Sequence, residues 1–528
     1  MRKIFAISAA VLVLSCQVVI AQQIVNVAPG LNTLADAVNV SSAGDVLVLQ
    51  RGAGYPNQGT INVSVPITIR AADGAGDRPL LAVAADATGA FAGTVLSLFA
   101  DVKLENLAFN GIRTAGDRAQ RIGQVFQMFA DNLRCEIDGC SFVGFGGRTL
   151  EPGRDGATLI VRNCIETGNG RSNRVDNGRL VDFRAASADT FILQNNTLLN
   201  CADRWIRHML EDASLDYVLF DHNTFMNGTG YRPSFQFRNV RELYFINNIV
   251  INPSILGTTP AGVRKDELEY ADPEDVVCTF TLAGADSSND VLVMKNNNVW
   301  RDPRIDAILG DFNLPAGDSV AIAPWFDKAF EDRVDEATAF FSEELTFVKA
   351  VTIDSLLPEL EIYVGGTKGY SHSAFIFRTD EIANGLDMSY GTTAQSYTAA
   401  GGGFPLGDLN WYPDRKTAWI AAGMPTSVED ENPGTPTTFR LSQNYPNPFN
   451  PGTAISYSLE TDADVRLEIY NLMGQKLRTL VNERKSAGTY TATWDGSSDN
   501  GMLQSSGIYF YKMSAGSQIE MKKMALVK

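Results

Sequence analysis

The chain has 528 residues, of which 45% are hydrophobic and 20% charged, and its formal net charge is −17. That length accommodates two or three domains, and the acidity disfavours nucleic acid and anionic membrane surfaces as partners. No nucleic-acid motif is present, and no segment is apolar for long enough to form a transmembrane helix.

Arg2 and Lys3 precede an apolar run over residues 4–14, and small residues lead on to Ala21. A basic start, a short apolar stretch and a small residue at the cut predict a secretory signal peptide over residues 1–21. Leu14-Ser15-Cys16 loosely resembles a lipoprotein cleavage box, but Leu14 fits it poorly, so cleavage after Ala21 is preferred. Losing Arg2 and Lys3 takes the charge from −17 to −19. Residues 439–528 hold ten Lys/Arg against eight Asp/Glu, which leaves −21 for the rest. Five cysteines remain: Cys135, Cys140, Cys164, Cys201 and Cys278. An odd number cannot all pair within one chain, and their spacing matches no zinc pattern, so they read as small buried apolar residues.

After residue 30, Leu31, Leu34, Ala35 and Val38 fall on one helical face, and strands follow over 46–49, 61–65 and 67–69. A short helix ahead of stacked strands is what the end of a solenoid needs as a cap. Seven segments then share a pattern of apolar, polar, Asn, small or Asn, and apolar. Its third position falls at 106, 139, 163, 195, 222, 247 and 296, in steps of 33, 24, 32, 27, 25 and 49. Most steps suit one coil of a parallel β-helix, and the last holds an insertion or an unmarked coil. Rungs stacked about 4.8 Å apart would let Asn163, Asn195, Asn247 and Asn296 hydrogen-bond one another in a ladder. The same logic stacks Cys140 on Cys164 as inward neighbours.

Leu34-Ala35-Asp36-Ala37-Val38, Gly44-Asp45-Val46-Leu47-Val48 and Gly54-Tyr55, followed by the Asn-rich coils, resemble the pectin-lyase-like superfamily. The resemblance implies a right-handed parallel β-helix, assigned to residues 22–301, and says little about activity. From 302 to 425 the repeat fades. Residues 324–347 look helical and acidic, 361–364 and 374–377 look like strands, and 401–411 look like a loop. The region is expected to supply late coils and a cap, or a small accessory region.

Residues 426–438 are acidic and rich in Pro and Thr, as in a linker. Strands alternating over 454–459, 465–470, 490–494 and 508–513 then predict a small Ig-like antiparallel β-sandwich, making the chain all-β. Asn444-Tyr445-Pro446-Asn447-Pro448-Phe449-Asn450, Trp494-Asp495-Gly496, Ser506-Gly507-Ile508-Tyr509 and Lys522-Lys523-Met524 resemble the C-terminal sorting domain of the type IX secretion system. The resemblance spans residues 439–528. It implies the type IX machinery as partner and secretion, or display on the outer surface, of a Gram-negative bacterium.

No phosphate-binding loop, zinc-protease motif or nucleophile elbow is present, and there are three histidines, His208, His222 and His372. Between Lys103 and Lys265 basic residues are all arginine, and residues 148–241 carry twelve Arg against eleven Asp/Glu. Aligning the strands at 180–184, 205–209 and 234–238 puts Asp182, Arg184, Arg207 and Arg238 on one outward face. Arg204 and Trp205 lie beside them, and His208 exchanges with Arg207 if the register slips by one. Guanidinium groups clamp carboxylates in pairs of hydrogen bonds, and an aromatic ring can carry a sugar face. Arg207, Arg238 and Asp182 are therefore the candidate catalytic residues of a lyase or hydrolase acting on extracellular polysaccharide. Arg184, Arg204 and Trp205 are the candidate substrate contacts. No metal site is assigned, although Asp182 could serve Ca2+. Non-catalytic glycan binding or adhesion, and a plain surface ion-pair ladder, stand as alternatives.

Overall fold

The computed structural model describes residues 22–114, 117–170, 178–184, 186–209, 213–230, 233–255, 278–283, 291–311, 325–350, 353–364, 385–424, 439–441, 444, 449, 452–459, 461–516 and 518–526. The expected signal peptide, the expected linker and the strand expected at 374–377 lie outside the described residues. The chain divides into two compact units, Met1–Val428 and Glu429–Lys528.

The first unit is a parallel β-helix. Its strands stack into three parallel sheets of ten, ten and eight strands, and each full coil contributes one strand to each. One coil runs Ala157–Arg162 in the first sheet, Ile165–Asn169 in the second and Arg179–Arg184 in the third. Register is held from coil to coil: Cys135 pairs with Leu159, Leu159 with Phe191, Phe191 with Val218 and Val218 with Leu243. Such columns point inward and bury one continuous core. Helix Thr33–Val40 closes one end, with Leu34 and Val38 buried. At the other end Phe326, Phe330 and Ala339 join the core.

The repeat marks the turn from the first sheet to the second, and two adjacent positions there do different work. Asn106, Gly139, Asn163, Asn195, His222, Asn247 and Asn296 all have φ between 54° and 64°. This left-handed conformation suits Gly and Asn better than other residues. The expected side-chain ladder is formed by the next position instead. Asn196 Nδ2 donates to Asn223 Oδ1 (2.9 Å), Asn223 Nδ2 to Asn248 Oδ1 (3.0 Å) and Asn248 Nδ2 to Asn297 Oδ1 (3.2 Å), all fully buried. Cys140 and Cys164 occupy that position in earlier coils, and the five described cysteines are buried, with no disulfide among them.

The segment from 386 to 424 lies along the outer face of the second sheet. Met388, Tyr390, Phe404, Leu406, Leu409 and Trp419 pack on Leu199, Met226, Ile249 and Ile251. The left-handed row receives this strap. Asn247 Oδ1 accepts from Gly401 N (3.4 Å), Asn195 Oδ1 from Leu409 N (3.3 Å) and Asn163 Oδ1 from Lys416 Nζ (2.6 Å), while the His222 and Trp419 ring centroids are 5.1 Å apart. At Gly407 a Cβ would stand 2.5 Å from Thr224 Oγ1, so the strap can approach this closely only with glycine there. Residues 357–364 are helical rather than ending in a strand, because Ile353, Leu356 and Leu360 bury one helical side.

Asp408 anchors the strap. It is buried, accepts from Thr197 Oγ1 (2.7 Å) and from Asn410 N (2.9 Å), and burial pushes its pKa up to about 7. The unfolded carboxyl titrates near 3.9, so between about pH 4 and 7 the folded state holds a proton that the unfolded state has released. The contribution of Asp408 to stability is thus greatest below about pH 4 and declines as pH rises to about 7. Asp408→Asn should gain in unfolding free energy relative to wild type across that window and level off above it. Urea titrations at several pH values check this, and a pH-independent difference would contradict it.

The second unit is a sandwich of three- and four-stranded antiparallel sheets around Trp494, Tyr457, Tyr511, Leu467 and Ile469. Besides the four expected strands it contains Lys476–Lys485 and Gln518–Leu526, the two outer strands of the larger sheet. Both are rich in charge, as edge strands commonly are.

Candidate functional site

The charged face lies on the outside of the third sheet, on strands Arg148–Glu151, Arg179–Arg184, Ile206–His208 and Phe235–Arg238. Val181, Ile206 and Phe235 are in register and fill the core. Strand alternation then turns the neighbouring row outward. In that row Asp182 pairs with Arg207, Arg207 with Gln236 and Gln236 with Thr281, while Ser97 pairs with Gln127 and Gln127 with Glu151. Arg207, not His208, is the residue aligned with Asp182.

Asp182 is fully buried at the centre of an ion-pair network. Its Oδ2 lies 3.0 Å from Arg148 Nε, 3.1 Å from an Arg179 guanidinium nitrogen and 3.5 Å from one of Arg207, and its Oδ1 accepts from Arg184 N at 3.1 Å. Asp203 accepts from Arg179 Nε at 2.8 Å and lies 3.4 Å from Arg204 Nε. Glu151 lies 2.7 Å from Arg148 and 3.8 Å from Arg184. Arg204 is buried and hydrogen-bonds Gln236. Arg238 donates to Met209 O (3.3 Å), and its own carbonyl lies 2.7 Å from His208 Nδ1. Burial pushes the His208 pKa down to about 4, so at neutral pH the ring is uncharged and Nδ1–H donates to that carbonyl. Outward reach differs: the Arg184 side chain is 53% exposed and that of Arg207 16%.

Three sequence-based assignments change. Arg204 is 2% exposed and held by Asp203 and Gln236, so its side chain braces the network and is not open to a substrate. Trp205 is 1% exposed and packs in the core, its ring centroid 5.2 Å from that of Phe225 and 5.3 Å from that of Phe235, so it offers no ring to the surface. It stands at the bend just before Ile206–His208, where strand alternation has not begun. Asp182 has both oxygens engaged by arginine side chains and backbone, which makes it the hub of the network rather than an open cation ligand. Among the described residues no group of three or more His, Cys, Asp or Glu side chains is arranged to hold a metal ion.

Arg148, Arg179, Glu151 and Asp203 belong to this network and were not singled out from the sequence. A signal for three of them exists: Arg148-Thr149-Leu150-Glu151 and Arg179-Leu180-Val181-Asp182 both place Arg three residues before an acid, and the two arginines pair in register. Nearby, in the interior, Glu166 is buried against Thr149 and Asn169, and burial pushes its pKa up to about 8.

Residues 446–518 match the family model of the FlgD Ig-like domain. No curated protein matches the chain. Among solved structures the chain is similar to the PL6 family alginate lyase AlyGC, at 14% identity and a TM-score of 0.27, covering 44% of this chain and 36% of that one. It is also similar to dimeric latent PorU from Porphyromonas gingivalis, at 19% identity and a TM-score of 0.15, covering 17% of this chain and 9% of that one. A third similarity is to PorZ of the same organism, a surface component of the type-IX secretion system, at 17% identity and a TM-score of 0.14, covering 18% and 12%. This chain therefore spans little more than a third of AlyGC and about a tenth of the other two. The molecule is a parallel β-helix followed by an Ig-like antiparallel module.

Proposed function

We propose that this is an exported β-helix protein, delivered to the outer surface of a Gram-negative cell or released from it. In this reading the Ig-like module serves as a type IX sorting domain, and the body binds acidic extracellular polysaccharide on the outer face of its third sheet. The observation that carries the binding reading is the charge of that face. Arg148, Arg179, Arg184, Arg204, Arg207 and Arg238 are set against Glu151, Asp182 and Asp203, in a chain whose net charge is −17. Among the described residues of this face guanidinium groups outnumber carboxylates six to three, and such an excess attracts a polyanion that the acidic remainder repels. Guanidinium groups also match carboxylates geometrically.

The test is binding of the mature protein to immobilised polygalacturonate and alginate at low and high salt. Wild type should bind, and salt should weaken the interaction. Arg207→Ala/Arg238→Ala should lower affinity by about tenfold or more, while the fold persists because Asp182 keeps Arg148 and Arg179. Wild type that ignores both polyuronates would refute the binding reading. Unsaturated sugar ends appearing in the same incubations would make the face a lyase site rather than a binding site.

A further inference from the structure

Trp205 lies in the core and gives the arginine face no aromatic surface for a sugar ring, but the same sheet exposes a pair of aromatic rings elsewhere. Phe99 and Phe129 follow strands Thr94–Leu98 and Gln124–Met128, which are neighbours in the third sheet with Leu98 paired to Met128. The parallel ladder continues through them: Phe99 N donates to Val63 O (2.9 Å) and Phe129 N to Leu98 O (2.8 Å). Each stands two residues beyond an outward polar residue, Ser97 and Gln127, and so on the same face. Their rings are stacked, with centroids 5.1 Å apart and planes 16° from parallel. Phe99 is 46% exposed and Phe129 38%, unlike the fully buried Phe109, Phe126, Phe142 and Phe145.

The edge continues toward the arginines, with a bulge at its last step. Glu151 follows Gln127 in the row, and two residues beyond it is Gly153, which has no side chain. Asp182 is on the next strand, since Leu150 pairs with Val181; beyond it the register shifts at a bulge, where Arg184 has φ 49° and its side chain is 53% exposed and 3.8 Å from Glu151 on the outer face. One edge of the sheet thus reads Phe99, Phe129, an open step and Arg184. At about 4.8 Å per coil it spans about 14 Å along the helix axis.

We propose that Phe99 and Phe129 form the sugar-stacking platform of a binding strip for an acidic polysaccharide, whose chain runs along the coil axis and places a carboxylate at Arg184. The proposal rests on the acidic-glycan reading above and adds its aromatic part and its direction. Pyranose rings present an apolar C–H face that lies flat on an aromatic ring, whereas a free carboxylate does not. The exposed parts of the two phenyl rings, whose facing sides cover each other, therefore hold uncharged sugar surface, and Arg184 holds charge.

Affinity of the mature full chain for alginate, polygalacturonate and a neutral β-glucan separates these roles. Phe99→Ala/Phe129→Ala should lower polyuronate affinity about tenfold and leave its salt dependence unchanged. Arg184→Ala should flatten the salt dependence, and an unchanged urea midpoint for the alanine double variant should show that it is folded. Wild-type affinity in the alanine double variant, with polyuronate binding intact, overturns the platform and spares the acidic-glycan reading. Equal binding of glucan and polyuronate, both lost in the double variant, supports the platform and overturns the acidic reading. No binding to any of the three overturns both.

Discussion

Replacing Asn248 with Ala should destabilise the β-helix by about 3–5 kcal/mol, a large share of the total stability of a folded domain. Asn248 Oδ1 accepts from both Asn223 N (2.9 Å) and Asn223 Nδ2 (3.0 Å), and Asn248 Nδ2 donates to Phe220 O (2.9 Å). Asn248 Nδ2 also donates to Asn297 Oδ1 (3.2 Å), and all these groups are buried; truncation takes the side-chain partner from Asn223 N, Phe220 O and Asn297 Oδ1 at once, while Asn223 Nδ2 keeps Leu193 O (2.9 Å). Each unsatisfied group costs about 1–3 kcal/mol. The neighbouring row should behave in the opposite way. Asn296 has φ 54°, a backbone state that Gly adopts without strain, so Asn296→Gly should be nearly neutral. Thermal and urea midpoints for both variants, with hydrogen exchange at the amide of Asn223, check the contrast. Equal costs at the two positions would show that the roles assigned to the rows are wrong.

Deleting residues 439–528 should abolish delivery to the cell surface and leave a folded body in the periplasm. Each unit has a hydrophobic core of its own, so the body is expected to fold without the module. A β-helix stabilised by many stacked coils is a poor candidate for threading across a membrane unfolded. Among the described residues no helix is long and apolar enough to cross a membrane. Under the proposal the Ig-like module alone is recognised, so its loss strands the body. Fractionation followed by protease treatment of the periplasmic material should find it resistant. A degraded, unfolded body would mean that the module acts in folding instead.

The stacked coils were legible in the sequence because each must bury the same inward columns, which leaves a repeat near the length of one coil. The Asn-Asn pairs were legible as a turn, but not the division of labour between them. Backbone handedness at Asn195 and side-chain satisfaction at Asn196 both favour asparagine, so composition alone cannot separate them. The strap over the second sheet left no trace, since its anchors join residues far apart in the chain, such as Leu409 to Asn195 and Asn410 to Asn195. The register of Arg207 with Asp182 followed from alternation, which holds within strands. Trp205 was misplaced because it sits at a bend where alternation gives no direction. Phe99 and Phe129 were passed over because, one strand at a time, an exposed phenylalanine is unremarked; only the parallel register stacks the two.

The most direct test of the export claim asks whether the C-terminal module is sufficient. A signal-bearing reporter fused to residues 426–528 is expressed in a host with type IX machinery, beside the same reporter without them. Intact-cell labelling and the culture medium are then assayed. The account expects the fused reporter on the surface or in the medium and the unfused one in the periplasm. A fused reporter that stays in the periplasm, together with a full-length protein that reaches the surface, would contradict it.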